Sequence, residues 1–355
     1  MKKRTGMMAA MFLAAVIGTS FGANAQAADT RVITDLTGAQ VEIPAAEDID
    51  KVMIVAPPLL STYLNVVHDD TKLAGINPMS ISDMNEELVP MLLPDKDSIR
   101  TDFLDGFASN TEEVLKMDPD IILIYGDAQK EGLENIDIPV VNFFIQDQQN
   151  ESWSVKIDEL MREIFDKDEE AVTLQDEWDA TNKIVNPVLS GISEDDKKTG
   201  LMIMMNTGDS ITVRGAGSYG DDWLTKSGLT NVAADIEGGG VEVTMEQIYE
   251  WNPDVIYVFR GAPAAGYINN KIDGQDWSLL DACKNGAVYD MPQGVFNWGA
   301  PNGDSPLTLE WMVMKNYPDT IDETAFLSRC KDYYQAHYGI TVTDDILSKI
   351  LNPAA

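Results

Sequence analysis

The sequence predicts an α/β protein of two similar lobes, each built on a mainly parallel central sheet, joined by one long backbone helix and separated by a cleft. The first observation is a repeated pattern of helix start, Asp/Asn-Pro-Asp turn and β-branched run, at residues 112–124 and 246–258 of the 355-residue chain. The second is a glycine-free segment between the copies, from Asp168 to Ser190. The copies lie a domain's length apart, which indicates two related domains rather than a solenoid.

Each copy of the pattern predicts a short helix, a tight turn and a buried strand. Asn110 and Thr244 are suitable N-cap residues. Glu112 and Glu246 follow in the first helical turn, where the helix dipole favours an anion. Each proline ends its helix, and the β-branched runs are typical of strands covered on both faces. One acid at a matching place on each lobe suits a partner that grips both lobes, and simple helix capping is the alternative.

Residues 1–27 are predicted to be a secretory signal peptide. Lys2, Lys3 and Arg4 precede a short apolar stretch, and Ala25-Gln26-Ala27 offers a cleavage site. The first 30 residues contain no cysteine, so we expect export into a periplasm without a lipid anchor.

The remaining chain is long enough for two cores. We predict an amino-terminal α/β lobe at 28–165, an inter-lobe helix at 166–195 and a carboxy-terminal α/β lobe at 196–355. The helix carries an apolar stripe at helical spacing, formed by Ala171, Leu174, Trp178, Thr181 and Val185. One helix of this length is a stiff connector, so the expected closure of the lobes on a ligand is small.

Composition limits the partners and the chemistry. The formal net charge of −34 argues against nucleic acid and anionic membranes, and a solvated acidic surface accounts for it. Cys283 and Cys330 are the two cysteines, and we expect a disulfide between them in an oxidising compartment, with two buried free thiols as the alternative. The chain has only two histidines, so no metal site is predicted.

Several segments, in a fixed order along the chain, point to one family. They are the strand pair at 32–35 and 41–44, Asn110-x-Glu112 with Pro119-Asp120, the stretch from Ser218 to Ala233, Glu246 with Pro253-Asp254, the stretch from Trp277 to Tyr289, and Trp311 with Tyr317-Pro318-Asp319. Together they resemble the class III periplasmic solute-binding proteins of ABC importers, which carry iron–siderophore complexes, haem and cobalamin. The resemblance implies that Glu112 and Glu246 dock onto arginines of a dimeric permease in the inner membrane, and we expect a monomeric carrier.

The ligand site is expected in the loops beyond the carboxyl ends of the strands. Arg214 and Arg260 each follow a predicted strand directly. The aromatic residues predicted to contact ligand with them are Tyr63, Tyr125, Tyr219, Tyr267 and Trp298. An arginine pair with aromatic walls suits a bulky anion such as a ferric chelate. Pairing of each arginine with a nearby acid is the alternative.

The sequence therefore predicts the periplasmic substrate-binding component of an ABC importer, which captures an iron chelate of the ferric siderophore type in the cleft. Cobalamin, haem or an oxyanion in the same carrier role remain open. A secreted α/β enzyme is the alternative from another class. It is disfavoured because the chain lacks a Gly-x-Ser-x-Gly elbow, a phosphate loop and a zinc motif. No cofactor is expected.

Overall fold

The computed structural model describes residues 30–106, 108–167 and 171–353. These residues form two α/β halves, each with its own sheet, so the predicted fold class is confirmed. The predicted signal peptide lies outside the described residues, as do residues 168–170, the acidic start of the predicted inter-lobe helix. In the ranges described, no helix combines the length and the apolar character needed to cross a bilayer.

The first half contains a four-stranded parallel sheet. The strands of the whole first half are β1 (Thr30–Thr34), β2 (Gln40–Pro44), β3 (Val52–Ile54), β4 (Leu73–Ile76), β5 (Leu104–Asp105), β6 (Ala108–Ser109), β7 (Ile121–Ile124) and β8 (Val140–Asn142). The parallel sheet has the order β4-β3-β7-β8, whereas β1 with β2 and β5 with β6 form small antiparallel pairs. The helices are α1 (Leu59–Val67), α2 (Pro78–Ser82), α3 (Val89–Leu92), α4 (Thr111–Met117) and α5 (Asn150–Phe165).

The second half follows α6 (Leu174–Ser190) and contains a mixed sheet. Its strands are β9 (Thr199–Asn206), β10 (Ile211–Val213), β11 (Thr230–Asn231), β12 (Val241–Val243), β13 (Val255–Val258) and β14 (Val288–Asp290). The main order is β12-β10-β9-β13-β14, in which β9, β13 and β14 run parallel and β10 is antiparallel to its neighbours. The helices are α7 (Tyr219–Lys226), α8 (Met245–Trp251), α9 (Ala264–Ile268), α10 (Asp281–Lys284), α11 (Ser305–Asn316), α12 (Glu323–Tyr338) and α13 (Asp344–Leu351).

The two copies of the repeated pattern form matching units, α4 with β7 and α8 with β13. The side chains of Asn110 and Thr244 each accept a hydrogen bond from a backbone N–H in the first turn of their helix. Asp118 and Asn252 end the helices in left-handed conformations, with φ of 52° and 37°. Both strands are buried along their whole length. The helix, turn and strand expected for each copy are therefore present.

The helix predicted at 166–195 is present as α6 and is shorter than predicted. α5 ends at Phe165, and the next residue, Asp166, has a left-handed φ of 47°. α6 begins only at Leu174, after a capping box between Thr173 and Asp176. This reciprocal pair of hydrogen bonds satisfies free N–H groups at the helix start, so it fixes where the helix begins. α5, which belongs to the first half, packs against α6, and α6 is the one long helix that connects the halves.

The last helices of the chain contact both halves. α11 packs against α5 and α6, and α12 packs against α1. Four residues of the predicted apolar stripe of α6, Leu174, Trp178, Thr181 and Val185, are buried. Buried apolar side chains from both halves form one continuous cluster that includes these helices. The halves are therefore joined through a packed core.

The expected disulfide is wrong, because both cysteines are free. Cys283 lies on α10 in the hydrophobic cluster around the second sheet, whereas Cys330 lies on α12 in the larger cluster shared by both halves. Burial raises the pKa of the Cys283 thiol to about 11. The alternative of two buried thiols describes the structure.

Candidate ligand-binding cleft

A cavity of about 170 Å³ lies between the two halves. The first half contributes the loop after β3, the end of β7 and the start of α5, and the second half contributes the start of α7 and the loop before α11. The lining residues are Ala56, Pro57, Pro58, Leu59, Tyr125, Gln129, Gln148, Trp153, Tyr219, Ala300 and Pro301. Strands that run parallel end at the same edge of a sheet, which brings these separate loops together.

Neither predicted arginine lines the cavity itself. Arg214 follows β10 and is buried, with 6% of its surface exposed, and it reaches the cavity wall only through Tyr219. Its guanidinium donates to the carbonyl oxygen of Gly239 and to the hydroxyl of Tyr219, and its Cζ lies 4.0 Å from the centre of the Tyr219 ring. Its Nε is buried and has no partner among the described residues. Burial lowers the pKa of Arg214. The hydrogen bond and charge of Tyr219 act against this lowering, and the positive charge of Arg260 adds to it. A bound anion would stabilise such a group.

Arg260 follows β13 and lies close to Arg214. The centre of the Phe259 ring is 5.5 Å from Cζ of Arg214 and 4.9 Å from Cζ of Arg260. Arg260 forms an ion pair with Asp83, which belongs to the first half. Its Nε is also buried without a partner in the described structure. The alternative that a nearby acid pairs with each arginine therefore applies to Arg260. Among the described residues, no acid lies within ion-pair distance of Arg214.

Two of the predicted aromatic residues, Tyr125 and Tyr219, line the cavity from opposite halves. The hydroxyl of Tyr125 accepts a hydrogen bond from Nε1 of Trp153 at 2.7 Å, which fixes the position of both rings. Burial raises the pKa of Tyr219, while the positive charges of Arg214 and Arg260 act against this rise. These side chains give the cavity polar hydroxyl groups within aromatic walls.

The other three predicted aromatic contacts are corrected by the structure. Tyr63 lies within α1, is fully buried and donates to the carbonyl oxygen of Asp69 at 2.8 Å. Tyr267 is fully buried in the cluster around the second sheet, with its ring centre 4.5 Å from that of Trp277. Trp298 is buried and donates from Nε1 to Asp304 at 3.0 Å. These three side chains belong to hydrophobic cores, because the segments that carry them pack inward.

Trp153 and Pro301 line the cavity, and Asp83 pairs with Arg260; none of the three was predicted as a site residue. Trp153 lies inside α5 and not in a loop that follows a strand, so the strand-end rule does not indicate it. Asp83 follows the short helix α2 and has no local signal that distinguishes it among 59 acidic residues. Pro301 ends a glycine- and proline-flanked loop that also contains Trp298. That loop does reach the cavity, although its tryptophan points into the core.

Glu112 and Glu246 lie on the surface, in the first turns of α4 and α8. The side chain of Glu112 is 79% exposed, and its Oε1 lies 3.0 Å from Nζ of Lys116. On α8, the position that corresponds to Lys116 is occupied by Glu250, another exposed acid, so Glu246 has no lysine there. Both glutamates are therefore accessible to a partner, but the electrostatic surroundings of the two helix starts differ.

The two histidines lie among residues of the protein's own packing and helix ends. The ring nitrogens of His337 lie 3.1 Å from Asn65 Oδ1 and 3.2 Å from Glu177 Oε1, in the packed interior. His68 ends α1 in a left-handed conformation, and burial lowers its pKa. In the part of the chain that the structure describes, no group of three or more His, Cys, Asp or Glu side chains is placed to hold a metal ion.

Two α/β halves, joined by packed helices and enclosing a cavity at the ends of their strands, define a solute-binding protein. The sequence pattern of the periplasmic binding protein family matches residues 91–295, and the chain belongs to that family.

The chain is also similar to individual proteins along most of its length. Molybdate-binding protein MolA of Haemophilus influenzae is 25% identical over 347 residues, covering 89% of this chain and 93% of MolA. The crystal structure of a periplasmic solute-binding protein from Veillonella parvula has a TM-score of 0.76 and 29% identity, and the match covers 91% of this chain and 97% of that one. MolA bound to molybdate has a TM-score of 0.73 and 22% identity, with coverage of 88% and 99%.

Proposed function

We propose that this protein is the substrate-binding component of an ABC importer and that its cargo is a small oxyanion of the molybdate type. The supporting observation is a pair of neighbouring arginines at the Phe259 ring, of which Arg214 donates to Tyr219, a residue that lines the small inter-lobe cavity. A guanidinium presents its N–H groups in a planar fork that matches oxyanions. Because the Nε atoms of Arg214 and Arg260 are buried without partners in the described structure, an oxyanion would supply the acceptors that they lack.

The size of the cavity favours a small cargo. Pockets that enclose drug-sized molecules usually have volumes of about 300 Å³ or more. The cavity measures about 170 Å³, which is well below that range. The relative from Haemophilus influenzae is by name a molybdate-binding protein, and this similarity supports the same class of cargo here.

A ferric chelate of the siderophore type is the second candidate. Tyr125, Trp153 and Tyr219 offer aromatic surfaces on which a flat chelating group could pack. Such a cargo needs a larger space, so the halves would have to separate to admit it. Haem and cobalamin are also too large for the cavity unless the halves separate. We therefore rank the oxyanion first.

Calorimetric titration of the purified protein would test the cargo. The ligands are molybdate, tungstate, sulfate and a ferric catecholate complex. We expect one equivalent of molybdate or tungstate to bind and to be recovered unchanged, as for a carrier rather than an enzyme. Loss of charged hydrogen bonds worth about 1.5–3 kcal/mol should lower the affinity of Arg214→Ala by at least tenfold.

The matched control is Arg100→Ala, because Arg100 is a partly exposed arginine that pairs with Asp102 and Glu113 away from the cavity. Its affinity should equal that of the unmodified protein. Circular dichroism would establish that both variants fold. Tight binding of the ferric complex without any oxyanion binding would replace our first candidate with the second.

We propose that Glu112 and Glu246 dock this carrier onto a dimeric permease. The support is their exposure at the starts of two matching helices, one in each half. A permease with two related subunits would present two equivalent basic sites, and one glutamate could pair with each. An arginine of the permease that loses its partner would remain desolvated and unpaired in the complex.

Uptake and binding measured together would test this assignment. Glu112→Ala, Glu246→Ala and the double variant should keep full cargo affinity and lose uptake, with the double variant most affected. Glu323→Ala is the control, because Glu323 is an exposed acid in the first turn of α12. Normal uptake by the double variant would return both residues to a capping role.

We propose further that residues 1–27 are removed during export and that the mature protein is a periplasmic monomer. The support is the order of cationic start, apolar stretch and small-residue cleavage site. Intact mass measurement on protein from the periplasmic fraction should give a chain that begins at Ala28. A lipid-modified amino terminus or retention in the membrane fraction would contradict this.

A further inference from the structure

The ion pair between Asp83 and Arg260 connects the two halves across the cleft. Asp83 comes directly after α2 in the first half, and Arg260 comes directly after β13 in the second. Their side chains are 18% and 27% exposed. One of the two arginines available to an anion is therefore already paired with a carboxylate of the protein.

The position of Asp83 is fixed by hydrogen bonds between the backbone on either side of it and the second half. The side-chain amide of Gln293 donates to the carbonyl oxygen of Ser82 at 3.2 Å. On the other side of Asp83, the backbone N–H of Asn85 donates to the carbonyl oxygen of Gly294 at 2.8 Å. The residues that flank Asp83 are thus fixed to the second half, and Asp83 is presented to Arg260 by the backbone.

The pair also changes the charge that a cargo meets. Arg214 and Arg260 lie on one aromatic ring, at 5.5 and 4.9 Å from the centre of Phe259. Two neighbouring cations repel each other, and a carboxylate at one of them reduces that repulsion. Asp83 offsets one of the two positive charges, so an incoming anion meets a site with a net charge closer to one than to two.

We propose that Asp83 is a specificity-determining residue that acts as an internal counter-ion. It occupies Arg260 when no cargo is bound, and the cargo must displace it to use both arginines. The inference rests on the proposed binding of an oxyanion in this cleft. Competition by Asp83 weakens binding and so favours release of the cargo. It also lessens the advantage of a doubly charged anion over a singly charged one, because a nearby negative charge repels the dianion about twice as strongly.

The test compares Asp83→Asn with the unmodified protein in calorimetric titrations. The probes are molybdate, a dianion, and perrhenate, a monoanion of the same tetrahedral shape. We expect Asp83→Asn to raise molybdate affinity by about tenfold or more and perrhenate affinity by a smaller factor, because repulsion by Asp83 scales with the charge of the anion, whereas the cost of breaking the ion pair is the same for both. Asp97→Asn removes a charge from an exposed site of the same half and should change neither affinity.

A double variant separates competition for Arg260 from direct repulsion by Asp83. In an Arg260→Ala background the competition is gone, so the remaining gain of Asp83→Asn is direct repulsion and should again be larger for molybdate than for perrhenate. Unchanged molybdate affinity in Asp83→Asn, with normal binding by the unmodified protein, overturns this inference alone. Failure of both proteins to bind any oxyanion overturns the proposed cargo together with it. Binding by Asp83→Asn only would support the counter-ion role in its strongest form.

Discussion

Asp304 is a fully buried carboxylate that organises the second-half wall of the cavity. One oxygen accepts from the backbone N–H of Val295, the indole of Trp298 and the hydroxyl of Tyr334, each at 3.0 Å. The other accepts from the hydroxyl of Tyr338 at 2.8 Å. Burial raises the pKa of Asp304, and these hydrogen bonds oppose the rise. The loop that ends at Asp304 includes Ala300 and Pro301, so the buried carboxylate supports residues that line the cavity.

Asp304→Ala should lower the free energy of unfolding by about 3 kcal/mol or more, because several buried donors lose their acceptor. Urea denaturation followed by tryptophan fluorescence would measure the change. Asp304→Asn keeps one acceptor oxygen and similar volume, and a smaller loss is expected. An alanine variant as stable as the unmodified protein would show that water or a rearranged loop replaces the carboxylate.

Single residues were predictable where a local rule governs them. The caps Asn110 and Thr244 depend on the side chain and the first helical turn alone, and the structure shows both. The orientation of an aromatic ring depends on what packs around it. Trp298 and Pro301 lie in the same loop, yet the first faces Asp304 in the core and the second faces the cavity.

At the scale of the element, the Pro-Asp sequences of the two repeats have a structural role. The carboxylate of Asp120 accepts from the backbone N–H groups of Asp50 and Lys51, at 2.8 and 2.7 Å. The carboxylate of Asp254 accepts from the backbone N–H and hydroxyl of Thr199, at 2.8 and 2.9 Å. Each aspartate therefore fixes the start of the neighbouring strand, β3 for Asp120 and β9 for Asp254. This explains why the same dipeptide precedes β7 and β13.

The helices α10 and α12 each carry one buried thiol, and their chemistry can be measured. A thiol reagent should modify neither Cys283 nor Cys330 quickly in the native protein, because both are buried and burial raises the pKa of each. Two thiols should react after denaturation without reductant. The melting temperature should be the same with and without dithiothreitol. A reductant-dependent melting temperature would mean that the cysteines are bonded after all.

At the scale of the whole molecule, the halves are held together well beyond the cavity. The backbone N–H of Gly303 donates to the hydroxyl of Ser61 on α1 at 2.9 Å. Arg329 on α12 pairs with Glu177 on α6 and with Glu310 on α11. These polar contacts lie beside the apolar cluster shared by the two halves. Large relative motion would break buried contacts at several places at once.

Small-angle X-ray scattering with and without saturating molybdate would test this rigidity. We expect the radius of gyration to stay the same within error, because the packed helices resist hinge motion. A ligand at about 100 times its Kd should still stabilise the protein by about 2.7 kcal/mol, so thermal melting serves as the control for occupancy. A clear decrease in radius of gyration on binding would show that the halves close like those of a hinge-type carrier.

The sequence by itself determined the features that depend on neighbours along the chain. These are the repeated helix–turn–strand unit, the helix caps, the buried β-branched strands and the two arginines that follow strands. Each arises from short-range effects such as capping, the restriction before proline and the preference of branched side chains for strands. The order of these segments was enough to indicate the family.

Tertiary structure alone decided what the cleft contains. The start of α1 at Leu59 turned Tyr63 from a loop residue into a core residue. The late start of the connecting helix arose from the capping box at Thr173. Asp83 meets Arg260 across 177 positions of sequence, and no local pattern marks that pair. Such contacts depend on how separate segments pack, since burial and charge pairing are set by whichever groups the fold brings together.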